Sequence, residues 1–221
     1  MIFYNSFFKG TVMEESFFQT LKTQRWDDHR YYHHSRINQS LHFISALSFL
    51  VSYVYLFIDP VVSALIAWMI SMTTRQAGHF FFEPKDYDVV NQATNDHKEF
   101  IKVGYNLRRK VVLMAIWAAI PAIAYFYPGY LTWFAPETDT SFIRLVGISW
   151  FALGVGGLLF RAVQLTIQDN IQVALSWVFK ILTDPFHDLM LYYKSPIYLL
   201  KGQLIDPMEH VEQHGEHAHS A

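Results

Sequence analysis

Four stretches of the chain, 41–58, 61–82, 111–133 and 143–165, are almost continuously apolar, with polar segments between them. Each approaches or exceeds the ~20 residues a helix needs to cross about 30 Å of hydrocarbon. The pattern predicts an all-α integral membrane protein, a bundle of about four transmembrane helices. A fifth run, 171–182, is short, contains Lys180, and repeats Ile171, Leu175, Val178 and Leu182 at helical spacing. It predicts an amphipathic helix lying at the membrane interface.

Composition agrees. Of 221 residues, 52% are hydrophobic, 17% aromatic and only 16% charged, a balance more apolar than that of an average soluble domain. Cysteine is absent, which excludes disulfides and thiolate metal sites and leaves nitrogen and oxygen as ligand atoms. A net charge of -2 points to no nucleic-acid partner. The start of the chain lacks the basic, apolar and small-residue order of a signal peptide, so the expectation is that it is retained.

The basic residues set an orientation. Lys9, Lys22, Arg25, Arg30 and Arg36 precede the first run, and Lys85, Lys98, Lys102, Arg108, Arg109 and Lys110 fill the segment between the second and third. The connections at Asp59 and Pro60 and at 135–141 carry no Lys or Arg. By the positive-inside rule both termini are cytoplasmic, in a bacterial inner membrane or, alternatively, an endoplasmic reticulum membrane. The expected organisation is a cytoplasmic N-terminal segment (1–40), a histidine-bearing hairpin with its cytoplasmic loop (41–110), a second transmembrane hairpin (111–165), and an interfacial C-terminal region ending in a disordered tail (166–221). Pro121 and Pro128 in the third run, and Gly147, Gly154, Gly156 and Gly157 in the fourth, mark the second hairpin as structural. Ala152 and Gly156 form a small-xxx-small pair suited to close helix packing.

Chemistry concentrates at the cytoplasmic edge. In "YYHHSRINQSLHF", residues 31–43, His34, Asn38 and His42 follow at intervals of four, one stripe of a helix. A hairpin turning at Asp59 and Pro60 brings residues whose numbers sum to about 119 to equal depth, so His42 faces the neighbourhood of Ala77 and His79 that of Ser40. His79 and Glu83 are again four apart. His29, His33, His34, His42, His79 and His97 thus share one membrane face, and the expectation is a metal site drawn from His33, His34, His42 and His79, with His29 and His97 as outer candidates. Arg75, one turn before His79, either snorkels to the headgroups or clamps a substrate carboxylate. His187 reads as a surface residue, and His210, His214, His217 and His219 lie in the polar tail.

The same residues carry a family resemblance. "YYHHSRINQSLHF" resembles the Tyr-x-His-(His)-x-x-x-Asn-x-x-x-His signature, and "AGHFFFE" the Gly-His-x-x-Phe-Glu signature, of the Mpo-like 2-hydroxy fatty acid dioxygenases. The likeness covers about 31–88, with weaker continuation to 110. It implies an iron(II)-dependent membrane enzyme that uses O₂ to remove one carbon from a fatty-acyl substrate, with His33, His42 and His79 as ligands and Asn38 and Glu83 as accompanying polar positions. His34 is not a fixed feature of that pattern. The chain departs from it at Arg75, where members usually have glutamine, and at "PKDYD", where they have a Pro-Ala pair. On this reading Arg75 pairs with the substrate carboxylate, and Asn38 or Glu83 orients a ligand imidazole.

Three other readings share the residues. His29, His33 and His34 form an H-x-x-x-H-H string like that of dinuclear hydroxylases, though the downstream histidine boxes are missing. His42 and His79 could be axial ligands of haem b in an electron-transfer protein. A non-catalytic membrane subunit could dock a membrane-protein partner through the C-terminal region, where "LMLYYKSPIYLLKGQLIDP" offers an apolar, aromatic surface.

Overall fold

The fold is that of a computed structural model, which describes residues 16–131 and 141–208; the tail histidines lie outside the described residues. It is all-helical, with no strand among those residues beyond two isolated bridges. Helix α1 (Phe17–Tyr32) begins at an N-cap, Ser16, whose hydroxyl accepts the Gln19 N–H, and α2 (Arg36–Leu56) begins likewise at Ser35. Asp59 caps α3 (Pro60–Ile66), with Pro60 in the first turn, where its missing N–H costs nothing. The chain stays helical to Phe82 through a π segment (Ala67–Met72), α4 (Thr73–Ala77) and a second π segment (Gly78–Phe82). α5 (Asn95–Ile101), α6 (Leu107–Phe126), α7 (Phe142–Gln168), α8 (Ile171–Tyr192) and α9 (Ser195–Leu200) complete the order.

Three helices, α2, α6 and α7, are long and apolar enough to cross a membrane. Many of their large apolar side chains face outward, among them Val111, Val112 and Ile116 of α6 and Leu159, Phe160 and Val163 of α7. In hydrocarbon such exposure carries no hydrophobic penalty.

The first hairpin is locked near its turn. Ser52 Oγ donates to the Ser63 carbonyl at 2.9 Å, and Ser63 Oγ donates back to the Ser52 carbonyl at 2.8 Å. The core between α3, α6 and α7 is built on tryptophans: the Trp68 indole N–H donates to the Trp150 carbonyl, and Trp117 and Trp150 stack at 5.4 Å. Close approach of α7 to α3 occurs at Gly147, where a Cβ would meet Val61 Cγ1 at 2.5 Å. The expected small-xxx-small contact is not made among the described residues, where a Cβ at Gly156 would meet nothing within 4 Å. The third expected run is also shortened: α6 ends at Phe126, and Pro128 opens a 3₁₀ turn beyond it.

The fifth run extends further than its apolar pattern indicated. α8 continues through Pro185 to Tyr192 and packs against α1, α2 and α7. Its apolar residues Ile171, Leu175 and Leu182 face outward, while Lys180, Asp184, Asp188 and Tyr192, at successive intervals of four, are buried against the bundle. His187 is half-buried rather than a surface residue. After α9 the chain returns as a strap over the α1–α2 junction. The Arg36 N–H donates to the Leu204 carbonyl at 2.9 Å and the Asp206 N–H to the His34 carbonyl at 2.8 Å. Asp206 also takes the Gln39 amide at 2.8 Å and pairs with Arg36 at 3.0 Å, and Ser195 donates to Gln39 at 2.6 Å.

Candidate metal centre

Three helix ends converge at one buried point. His33 follows the last residue of α1, His42 lies two turns into α2, and His79 sits in the second π segment. All three are buried, and one ring nitrogen from each lies within 4.8 Å of the others, a grouping able to hold a metal ion. The rings are in contact, with centroids 4.3 Å apart for His33 and His42, 4.8 Å for His42 and His79, and 5.2 Å for His33 and His79.

Tautomers follow from the acceptors on the far side of each ring. His33 Nδ1 lies 2.8 Å from the Asp28 carbonyl and His42 Nδ1 lies 3.1 Å from the Asn38 carbonyl. A carbonyl has no proton to give, so both Nδ1 atoms donate and both Nε2 atoms carry lone pairs. Those two Nε2 atoms face each other at 3.1 Å, an arrangement that repels unless a positive charge lies between them. His79 Nδ1 donates to Glu83 Oε2 at 2.6 Å, which leaves its Nε2 basic as well. Carbonyl or carboxylate acceptors behind ligand imidazoles fix ring orientation and raise ligand basicity. Three neutral imidazoles of this kind suit Zn, Cu, Fe or Ni.

Haem does not fit this arrangement. Imidazoles held trans across an iron at about 2 Å put their ring centroids roughly 6 Å apart, with a porphyrin between them. His42 and His79 are closer than that, with centroids 4.8 Å apart, and His33 packs against both.

The sequence-derived candidates divide clearly. Asn38 is fully buried; its amide donates to the Tyr32 carbonyl at 2.9 Å and its Oδ1 lies against Gly78, without a hydrogen-bond partner among the described residues. His34 stays out of the cluster, its Nε2 2.5 Å from the Arg30 carbonyl and 3.5 Å from Asp88. The reason is local: the chain breaks helix at Ser35, so the stripe through Asn38 and His42 does not extend back to His34, and His33 turns inward instead. His29 Nδ1 contacts the Tyr192 hydroxyl at 3.0 Å, and His97 is exposed on α5.

Arg75 neither snorkels nor stands open. Its guanidinium pairs with Asp188 at 2.9 Å and Asp184 at 3.8 Å, and Lys180 bridges Asp184 at 2.6 Å and Asp28 at 3.0 Å. Burial alone would raise the Asp28 carboxyl, but Lys180, with Lys102 and Arg75, holds it well below the usual carboxylate range. This network and Tyr192, whose ring lies 5.5 Å from His33, escaped the sequence reading. Their signal was the i, i+4, i+8, i+12 series of Lys180, Asp184, Asp188 and Tyr192. Set beside models of known families, characterised proteins and solved structures, the chain matches none, so the reading of this centre rests on its own residues.

Proposed function

We propose that the protein is an iron(II)-dependent membrane dioxygenase of the Mpo-like kind, acting on 2-hydroxy fatty acids. The observation that carries this reading is the convergence of three lone-pair-bearing imidazole nitrogens, each fixed from behind by an oxygen acceptor. Three nitrogen ligands leave further positions on a metal for a chelating substrate and O₂. The overall reaction is RCH(OH)COOH + O₂ → RCOOH + CO₂ + H₂O. Iron bound by the three histidines would supply the oxygen chemistry.

The chain's own residues do the rest. Glu83 holds the His79 ring and its proton, Asn38 supports His42 through its carbonyl and the α1 terminus through its amide, and Arg75 braces α8 against the hairpin from inside. The continuous helix 60–82 serves as a fourth span, and the π segments explain why it does not form one regular α-helix. With the basic segments cytoplasmic, the centre sits at the inner edge of a bacterial inner membrane, at the depth of a fatty acid's head, with both termini on that side.

Metal analysis of the purified protein beside His42→Ala and His79→Ala, followed by product analysis with 2-hydroxypalmitate under O₂, tests the proposal. About one non-haem iron per chain, lost in both variants, with pentadecanoate and CO₂ formed in equal amounts, supports it. A chain that binds no iron after anaerobic loading, or binds it without turnover, refutes it.

A further inference from the structure

Beside His79 lies a crevice with an unbalanced charge. Its lining includes His79, Glu83, Glu99, Lys85, Lys102 and Lys110. Glu83 is engaged by His79, and Glu99 accepts the Leu107 N–H at 2.5 Å and stands 3.9 Å from Lys102. Three lysines against two glutamates leave one positive charge over. Lys102 is held in place by Tyr32, its ammonium 3.4 Å from the ring centroid. Lys110, in the first turn of α6, is only 8% exposed, and its ammonium makes no ion pair or hydrogen bond with any described residue. A largely buried ammonium with no carboxylate in direct contact is costly, and an anion delivered to it lowers that cost.

We propose that Lys110, assisted by Lys102, binds the carboxylate of the acyl substrate beside the imidazole cluster. The assignment rests on the function proposed above and moves the carboxylate away from Arg75, whose charge is already met by Asp188 and Asp184. Apolar surface adjoins the crevice. Phe82 and Val111, next in sequence to Glu83 and Lys110, are exposed apolar side chains, so a head held at Lys110 leaves its hydrocarbon chain on lipid-facing surface. Lys110 and Lys102 are positioning residues in this scheme, and the imidazoles keep their role toward the metal.

Binding without turnover separates this inference from the reaction. Full-length protein in neutral phosphatidylcholine nanodiscs, loaded with redox-inert zinc, is titrated with 2-hydroxypalmitate and with hexadecane-1,2-diol, which keeps both oxygens but lacks the charge. K110M should weaken 2-hydroxypalmitate at least tenfold and leave the diol within twofold, with zinc stoichiometry unchanged. K110Q carries the same expectation should the methionine variant not fold. Unchanged acid affinity overturns the proposal, as does an equal loss of acid and diol. Lysophosphatidate is the second arm: Lys110-dependent binding of it alone would make the crevice a phosphate headgroup site and also overturn the carboxylate assignment. Should the oxygenase reaction fail while K110M still discriminates acid from diol, the carboxylate site stands and the reaction is what falls.

Discussion

Replacing Gly78 by alanine tests how tightly the centre is built. A Cβ at Gly78 would stand 2.1 Å from Asn38 Oδ1 and 3.0 Å from Asn38 Cγ. Asn38 is fully buried, so it has no open space to swing into. Moving it breaks the amide bond to the Tyr32 carbonyl, worth about 1 kcal/mol, and overpacking a dense interior adds about 1–3 kcal/mol. Alanine returns about 1 kcal/mol through its better helix propensity. The expected net loss is therefore about 1–3 kcal/mol, read by denaturant unfolding of the detergent-purified protein. Metal affinity should fall about tenfold, as for loss of a group supporting a ligand, because the Asn38 carbonyl holds His42 and Tyr32 precedes His33. On an Asn38→Ala background the obstacle is gone, and the same alanine should be neutral or stabilising. A Gly78→Ala protein as stable as the parent, or equal effects on both backgrounds, would refute the packing argument.

Glu83→Gln keeps the size but removes the charge behind His79, and metal affinity should fall roughly 10- to 100-fold in chelator competition; an unchanged affinity would mean that the 2.6 Å contact does not tune the ligand. Arg75→Met leaves Asp188 buried and unpaired and should cost about 3 kcal/mol, whereas Arg75→Met combined with Asp188→Leu should recover most of it. Burial pushes His187 below its ordinary 6.5, with Arg25 adding to the effect and Asp184 opposing it. The unfolded chain then binds the proton first, so His187 contributes stability above about pH 6.5 that is lost as pH falls toward its folded value. His187→Gln should flatten the stability profile between pH 7 and pH 5 by that share, and an identical slope in parent and variant would count against it.

Sequence reasoning reached some of this and missed some for identifiable causes. A hairpin turning at Asp59 brought His42 and His79 to similar depth, since depth along paired helices depends only on residue count. Depth alone could not resolve His33 from His34, which only the motif resemblance told apart, because that choice depends on where one helix stops and the next starts, and a single serine cap decides it. The π segments left no mark in hydropathy. The inward face of α8 was hidden for a different reason: an amphipathic pattern says that two faces differ, not which faces the protein. Reading its apolar stripe as the anchoring side concealed that Lys180, Asp184 and Asp188 were the packing side, and so concealed the partners of Arg75.

The C-terminal strap imposes an order on biogenesis. The three imidazoles all lie within the first 83 residues, but Gln39, between His33 and His42, is tied by Ser195 and Asp206, which follow it by 156 and 167 residues. A chain still on the ribosome holds its ligands before it holds their clamp. The first hairpin is therefore made with an incomplete site, and the finished geometry around Gln39 waits until Ser195 and Asp206 have been added.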